Sequence, residues 1–112
     1  MHEKKSFVLY FDAYPLLAML PLEQRGLLLS AVYTYAMQVA QEPEASTEDV
    51  LRQFPQMTAD TRMACGFICN AIRRDTGVWR RHKEARVQRR RLEQEAKRET
   101  AKTAGEDAWK YI

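Results

Sequence analysis

Residues 22–41 read LEQRGLLLSAVYTYAMQVAQ, and this stretch decides the fold class. Its apolar positions repeat at spacings of 4, 3 and 4, which is typical of a helix that buries one face. They are Leu28, Val32, Tyr35 and Val39. Pro21 just before the stretch is typical of a helix start, and Pro43 just after it prevents the helix from continuing. The sequence therefore predicts a helix that ends near Gln41.

The segment before this helix predicts a shorter one. Residues 12–20 have helical character, with Asp12 near the N-cap and Pro15 in the first turn, where proline is tolerated. Residues 7–11 are rich in aromatic and branched side chains. They are either a short extended lead-in or an extra turn of helix.

Three further helices are predicted in the rest of the chain. Ser46 caps a short helix that runs through Phe54. A longer helix covers residues 56–76, and Gly77 is either its C-terminal cap or a weak point within a longer helix. The last helix covers residues 78–104 and is rich in Ala, Gln, Glu, Lys and Arg. Because these residues favour helix, the basic end of the chain is expected to be helical as well.

The expected architecture is all-α, a compact bundle of three to four helices with a long basic C-terminal helix that ends at Gly105. A chain of 112 residues leaves room for little more than one core. We therefore expect a helical core domain at residues 1–77. Residues 78–112 are expected to form the basic helix and an apolar tail.

The core is predicted from the same periodicity. The helix over residues 56–76 is expected to bury Met57, Ala64, Phe67, Ile68, Ala71 and Ile72, with Cys65 and Cys69 alongside as free thiols. An aromatic set is also expected to lie in the core, with one or two members at a dimer surface. Its members are Phe7, Tyr10, Phe11, Tyr14, Tyr33 and Tyr35.

Charge is distributed unevenly along the chain. The net charge is +3, but residues 1–72 carry 5 basic and 8 acidic residues, whereas residues 73–112 carry 13 and 7. An asymmetry of this kind is a sign of binding to nucleic acid or to an acidic partner. The bland interpretation is a solvated helix with a basic face.

The basic cluster supplies the candidate binding residues. They are Arg73, Arg74, Arg80, Arg81, Lys83, Arg86, Arg89, Arg90 and Arg91. Arginine forks suit phosphate recognition, so DNA or RNA is the expected ligand and an acidic protein surface the other option. Trp79 could stack on a base, although a structural role is favoured. Side chains that read bases, such as Asn and Gln, are sparse here, so contacts with phosphates are expected to dominate.

Other classes of function find no support in the sequence. It contains no glycine-rich phosphate loop, no HExxH and no nucleophile elbow, so we expect no enzyme and no cofactor. The C-x3-C spacing does not match the usual zinc pattern, and no metal is expected. No apolar run is long enough to span a membrane, and the first residues do not resemble a signal peptide, so a cytoplasmic protein is expected.

Several apolar motifs carry a resemblance to a known family. They are SFVLY at 6–10, LPLEQRGLL at 20–28, AVYTYA at 31–36, MACGFI at 63–68, and Arg74-Asp75 followed by Trp79. Over about residues 6–80 the chain resembles a family of small phage and mobile-element proteins of unknown function. Pro21 departs from the Ser or Thr common there, and helical sequence replaces the family's Gly- and Lys-rich tail. Because members often occur in phage replication modules, the resemblance implies a role in DNA replication or DNA binding.

Three hypotheses follow. The first is a nucleic-acid-binding accessory protein of phage or mobile-element origin, with mostly non-sequence-specific phosphate contacts. The alternative is a small protein-binding inhibitor, such as an anti-CRISPR or other anti-defence protein acting on a host nuclease. The third is a helical homodimer whose basic helix is only solvated surface, with a weak seam formed by Val78, Ala85, Leu92 and the apolar tail at residues 109–112.

Overall fold

The computed structural model describes the backbone of residues 3–108 and the side chains of residues 3–102. Its elements are a 3-10 turn at Phe11–Ala13, α1 at Tyr14–Ala18, α2 at Leu22–Gln41, α3 at Thr47–Leu51 and α4 at Ala59–Ala108. The backbone of residues 3–108 contains no strand, which confirms the all-α prediction. The chain divides into two compact units, Met1–Val78 and Trp79–Ile112. We call them the N-terminal and the C-terminal unit.

The N-terminal segment is an extended lead-in. Residues 3–10 have no regular secondary structure, and the chain then enters the 3-10 turn. The prediction that Asp12 caps α1 is wrong, because Ala13 occupies the N-cap position and no side chain caps the helix. The preceding 3-10 turn leads directly into the helix instead, since the Tyr14 N–H donates to the Phe11 carbonyl.

The end of α1 is held by a side chain of α2. Arg25 Nε donates to the Leu20 carbonyl at 2.9 Å, and its Nη2 donates to the Ala18 carbonyl at 2.8 Å. The last carbonyls of a helix lack intrahelical donors, and the arginine fork supplies them. The helix ends at Ala18 rather than at Leu20, because a residue that precedes a proline disfavours helical backbone.

Helix α2 matches its prediction at both ends and on its buried face. It spans Leu22–Gln41, and the Glu42 N–H that follows it still donates to the Gln38 carbonyl at 2.8 Å. The four side chains of the predicted stripe are buried, none with more than 2% of its surface exposed. The periodicity of this helix therefore fixes the centre of the core.

Helix α3 is shorter than predicted but begins as expected. Ser46 Oγ accepts a hydrogen bond from the Glu48 N–H at 3.1 Å, which is the N-cap arrangement. The helix ends at Leu51 rather than Phe54, and Val50 is its buried residue. The turns that follow have backbone bonds of the i to i−3 type, from Gln53 to the Val50 carbonyl and from Phe54 to the Leu51 carbonyl.

Helix α4 replaces the two helices predicted for residues 56–76 and 78–104. It begins at Ala59 and continues through Gly77 and Gly105 to Ala108, so the predicted end at Gly105 is wrong. Glycine inside a helix costs only about 1 kcal/mol, and the flanking residues are mostly good helix formers. Of the two interpretations of Gly77, the structure has the one in which it lies within a longer helix.

The core packs one face of α4 against α2 and α3. Five of its predicted side chains are buried, and Met57 just ahead of the helix is buried as well. The five are Ala64, Cys65, Ile68, Cys69 and Ile72. Phe67 is a wrong prediction, because half of its surface is exposed on the face of α4 that is turned away from the core. Both cysteines are free, as expected.

A buried polar network joins α2 to the start of α4. The carboxamide of Gln24 donates to the Gln56 carbonyl at 3.1 Å and accepts from the Thr58 N–H at 3.0 Å. Thr61 Oγ1 donates to the same Gln24 oxygen at 2.7 Å. Gln24 and Thr61 are both buried, and one carboxamide bonds all three groups, so the register between α2 and the start of α4 is fixed there.

The prediction of an aromatic core is mostly wrong. Of the six aromatic side chains named above, Tyr35 is fully buried and Phe7 is half-buried, with its ring edge-on to that of Tyr33 at 4.9 Å between centroids. The other four are exposed, Phe11 to 97%. They lie on the extended lead-in, on the 3-10 turn, on α1 and on the outward face of α2. Composition alone cannot separate these positions from core positions.

Candidate nucleic-acid interface

The nine predicted binding residues all lie on α4, but in two different units. Arg73 and Arg74 belong to the N-terminal unit, and the other seven lie between residues 80 and 91 of the C-terminal unit.

Arg73 has a structural role in the N-terminal unit. Its Nε donates to Tyr35 Oη at 2.9 Å, and its Nη2 donates to the Ala45 carbonyl at 3.1 Å. These bonds tie α4 to α2 and to the loop before α3. Because two directions of its guanidinium fork are already used, Arg73 has fewer donors left for an external anion than an exposed arginine without such bonds.

Arg74 is exposed beside a second polar contact of the same unit. Tyr10 Oη donates to Asp75 Oδ2 at 2.5 Å, which attaches the extended lead-in to α4. This hydrogen bond to a carboxylate raises the pKa of Tyr10 above 10.0, since it favours the protonated phenol. The carboxylate next to Arg74 makes the local charge balanced rather than strongly positive.

Residues 80–91 form the basic segment of the C-terminal unit. The segment contains seven basic residues and one acidic residue, Glu84, so its net charge is +6. Residues 92–102 contain three basic and three acidic residues and have a net charge of zero. At 1.5 Å per residue, the twelve residues of the basic segment cover about 18 Å of helix. The positive charge is therefore confined to three helical turns.

Most of these basic side chains face solvent. Arg81, Arg86, Arg89, Arg90 and Arg91 are exposed, whereas Arg80 and Lys83 are half-buried. Among the side chains of residues 3–102, these five arginines form no salt bridge. Their donors are therefore available to an external anion.

The charges surround the helix. Lys83, Arg86 and Arg90 follow one another at spacings of three and four and share a face. Arg81, Arg89 and Arg91 point in other directions around the axis, at 100° per residue. A helix with cations around its circumference can contact phosphates on both walls of a groove.

Trp79 is engaged by its neighbour in the same unit. Lys83 Nζ lies 5.1 Å from the centre of the Trp79 ring, a cation–π contact across one helical turn. The indole is half-buried. Stacking of a base on that face of the ring would require Lys83 to move.

The part of the chain that the structure describes offers neither a metal-ligand cluster nor a membrane-spanning helix. No group of three His, Cys, Asp or Glu side chains among them is close enough to hold a metal ion. Within the same part of the chain, no helix has the length and apolarity needed to cross a bilayer.

Sequence reasoning identified the basic segment but missed the polar contacts around it. The pairing of Arg73 with Tyr35 joins residues 38 positions apart, and that of Gln24 with Thr61 joins residues 37 apart. No periodicity carries such information. A polar residue at a core-facing position of α2, as Gln24 is, was the one available signal.

Comparison with known proteins places the chain in a family. No curated protein and no solved structure matches it. Residues 6–107 match the sequence profile of a family described as "Family of unknown function (DUF6291)". That match covers both compact units, including the whole basic segment, and the chain is a member of this family of unknown function.

Proposed function

We propose that the protein is a cytoplasmic nucleic-acid-binding accessory protein of phage or mobile-element origin, and that its basic segment contacts phosphates. The observation that carries the proposal is the net charge of +6 within twelve residues, with five exposed arginines that have no salt bridge. Confinement of charge to about 18 Å separates this segment from a uniformly solvated helix, in which acidic and basic residues alternate. The resemblance of its motifs to those of small phage proteins supports the proposed origin.

Duplex DNA fits this segment better than duplex RNA does. The major groove of B-form DNA is about 12 Å wide and admits an α-helix, whereas that of A-form RNA is deep and narrow. A helix that lies in the groove has phosphates on both sides, which matches arginines placed around the axis. Duplex DNA also carries one negative charge per about 1.7 Å, which is enough to pair every cation of the segment.

The contacts are proposed to be largely independent of base sequence. Gln88 is the one Asn or Gln in residues 80–91, so few side chains could form the paired bonds that read adenine. Arginine can read guanine, but here the arginines occupy all sides of the helix and most cannot face base edges at once. Affinity should therefore depend on phosphate contacts and on salt.

Charge reversal at two places on the same helix tests the proposal. One variant carries Arg86→Glu, Arg89→Glu and Arg90→Glu within the basic segment. Its matched control carries Lys97→Glu, Arg98→Glu and Lys102→Glu, which changes the net charge by the same amount outside the segment. Both keep residues that favour helix, and circular dichroism should show equal helicity.

The two variants are expected to differ in binding to labelled duplex DNA. The first should lose binding, and the control should keep most of it. Equal loss in both would show that net charge alone attracts DNA, and unchanged binding in both would refute the proposed site. Absence of binding by the unmodified protein would instead favour an acidic protein surface as the partner.

A further inference from the structure

Arg86 has only basic residues beside it on the surface of α4. On a helix, the residues three and four positions away are the neighbours of a side chain. For Arg86 they are Lys83, Arg89 and Arg90, which are cationic at neutral pH, and His82. We call Lys83, Arg89 and Arg90 the cationic neighbours of Arg86. Because like charges at these spacings destabilise a helix, repulsion is concentrated at the centre of the basic segment.

The other four exposed arginines of the segment differ from Arg86 in this respect. Each of them has a glutamate three or four positions away, and a carboxylate at that distance lowers the positive potential around the guanidinium. The pairs are Arg81 with Glu84, Arg89 and Arg90 with Glu93, and Arg91 with Glu95. Arg86 is the exposed arginine of residues 80–91 without such a glutamate, so the potential is most positive around it.

Packing does not offset the repulsion around Arg86. Every side chain of residues 84–102 is exposed, including the apolar Val87 and Leu92. Most helices in proteins owe their stability to a buried face, and a helix without one depends on propensity and on pairs of charges. We therefore expect the helix to open more often around Arg86 than around residues 93–97, where Glu93 and Lys97 are four positions apart and attract each other.

We propose that Arg86 is the central phosphate contact of the basic segment, and that phosphates bound there stabilise the helix because they cancel the repulsion between Arg86 and its cationic neighbours. This role rests on the proposed function, and it adds a link between DNA binding and the stability of the helix. A phosphate beside Arg86 is attracted by four cations at once. A phosphate beside Arg91 is also repelled by the carboxylate of Glu95, so it is held less strongly.

Two single substitutions with the same change of charge test the repulsion without nucleic acid. Arg86→Gln removes a cation that lies among cations, whereas the matched control Arg91→Gln removes a cation that Glu95 attracts. Glutamine and arginine have similar helix propensities, so the comparison isolates charge. At about 10 mM salt, amide hydrogen exchange of residues 83–90 should slow roughly three- to tenfold in Arg86→Gln, because three repulsive pairs are lost. It should not slow in Arg91→Gln.

The salt dependence of this exchange separates repulsion from other causes. The Debye length falls from about 30 Å at 10 mM salt to about 3 Å at 1 M, so the difference between Arg86→Gln and the unmodified protein should disappear at the higher concentration. Equal exchange in these two proteins at low salt would overturn the proposal. A difference that persists at about 1 M salt would overturn it as well, because screened charges cannot produce it.

Duplex DNA supplies the second half of the test. At about 50 mM salt, saturating DNA should slow the exchange of residues 83–90 in the unmodified protein, because a ligand that binds the closed helix stabilises it. Arg86→Gln should bind the duplex roughly tenfold more weakly, and its slope of log K against log salt should be smaller by about 0.9, the value for one phosphate contact. Arg91→Gln should lose less affinity than Arg86→Gln.

Fluorescence anisotropy on the same samples distinguishes failure of this role from failure of the proposed function. Unmodified protein that binds no duplex DNA would refute the function and the role of Arg86 together. Protein that binds DNA without slower exchange of residues 83–90 would overturn only the link to helix stability. Protein that binds DNA equally well with Arg86→Gln and with Arg91→Gln would overturn only the central position of Arg86.

Discussion

Arg73 and Tyr35 are joined by a hydrogen bond in which Arg73 Nε donates to Tyr35 Oη over 2.9 Å. Tyr35 is fully buried, and Arg73 is the first arginine of the basic stretch of α4. The bond gives the phenol of a core residue its partner, and the same guanidinium also holds the Ala45 carbonyl. A cluster that looks uniform in the sequence therefore contains a residue with a structural role.

Arg73→Ala should lower the free energy of unfolding by roughly 1–3 kcal/mol, because it removes two hydrogen bonds from a charged donor. Tyr35→Phe removes one of them, and a double-mutant cycle in urea should give a coupling energy between the two sites. The matched control Arg81→Ala should leave stability within about 0.5 kcal/mol. Equal stability of Arg73→Ala and Arg81→Ala would contradict the structural role of Arg73.

Gln24→Ala should destabilise the protein by about 2–3 kcal/mol. The substitution removes the three hydrogen bonds to the Gln56 carbonyl, the Thr58 N–H and the Thr61 hydroxyl, and their loss is costly because the carboxamide and Thr61 are buried. Gln41→Ala, at the exposed end of the same helix, is the control and should change stability by less than about 0.5 kcal/mol. Urea unfolding measures both, and a small effect at Gln24 would show that the network does not join α2 to α4.

The two cysteines should be unreactive in the folded protein. They are free and buried, with Sγ atoms 3.9 Å apart. The hydrogen bond with Cys65, together with burial, raises the pKa of the Cys69 thiol well above its ordinary value of 9.0. A disulfide-exchange reagent should modify both thiols quickly in denaturant and slowly without it, because both are buried and the reagent needs access to the sulfur. Rapid modification of the native protein would contradict the packing of α4.

The same thiol should make stability depend on alkaline pH. Because the folded pKa of Cys69 exceeds the unfolded value, its contribution is complete below about pH 9 and is lost as the pH rises above that value. The free energy of unfolding should therefore fall above pH 9, and Cys69→Ala should fall less steeply. Parallel pH profiles for the two proteins would exclude this thiol as the source.

The sequence predicted α2 well for a physical reason. One face of this helix is buried, and burial imposes the 3.6-residue period that the apolar positions show. Prolines outside the helix mark its limits, because proline affects backbone geometry locally. The Ser46 cap was predictable on similar grounds, since its hydrogen bond to Glu48 spans two residues. The limits of α2 and the cap of α3 depend on residues that are close together in the sequence, so they could be predicted from it.

The prediction failed where local signals are weak or ambiguous. The sequence left open whether Gly77 ends a helix or lies within a longer one, and α4 continues because one glycine costs only about 1 kcal/mol. Phe67 and Tyr33 are apolar and yet exposed. An apolar side chain is more stable when it is buried. Hydrophobicity alone does not show whether the protein's own fold buries it.

The sequence was enough to locate the positive charge of the candidate interface. It was not enough to say which arginines also have a structural role. The clustering of arginines is a property of the sequence, so the basic segment could be located without a structure. The engagement of Arg73 by Tyr35 depends on how α2 and α4 pack, which no local pattern specifies. The structure gives Arg73 a structural role, and the proposed interface is the basic segment, residues 80–91.

The central claim is that residues 80–91 bind phosphates, and a salt series tests it most directly. Fluorescence anisotropy with labelled duplex DNA would give the binding constant at each salt concentration. Five to seven phosphate contacts predict a slope of log K against log salt of about −4.5 to −6, with duplex DNA bound more tightly than duplex RNA. Absence of binding at about 50 mM salt, or a slope near zero, would contradict the claim.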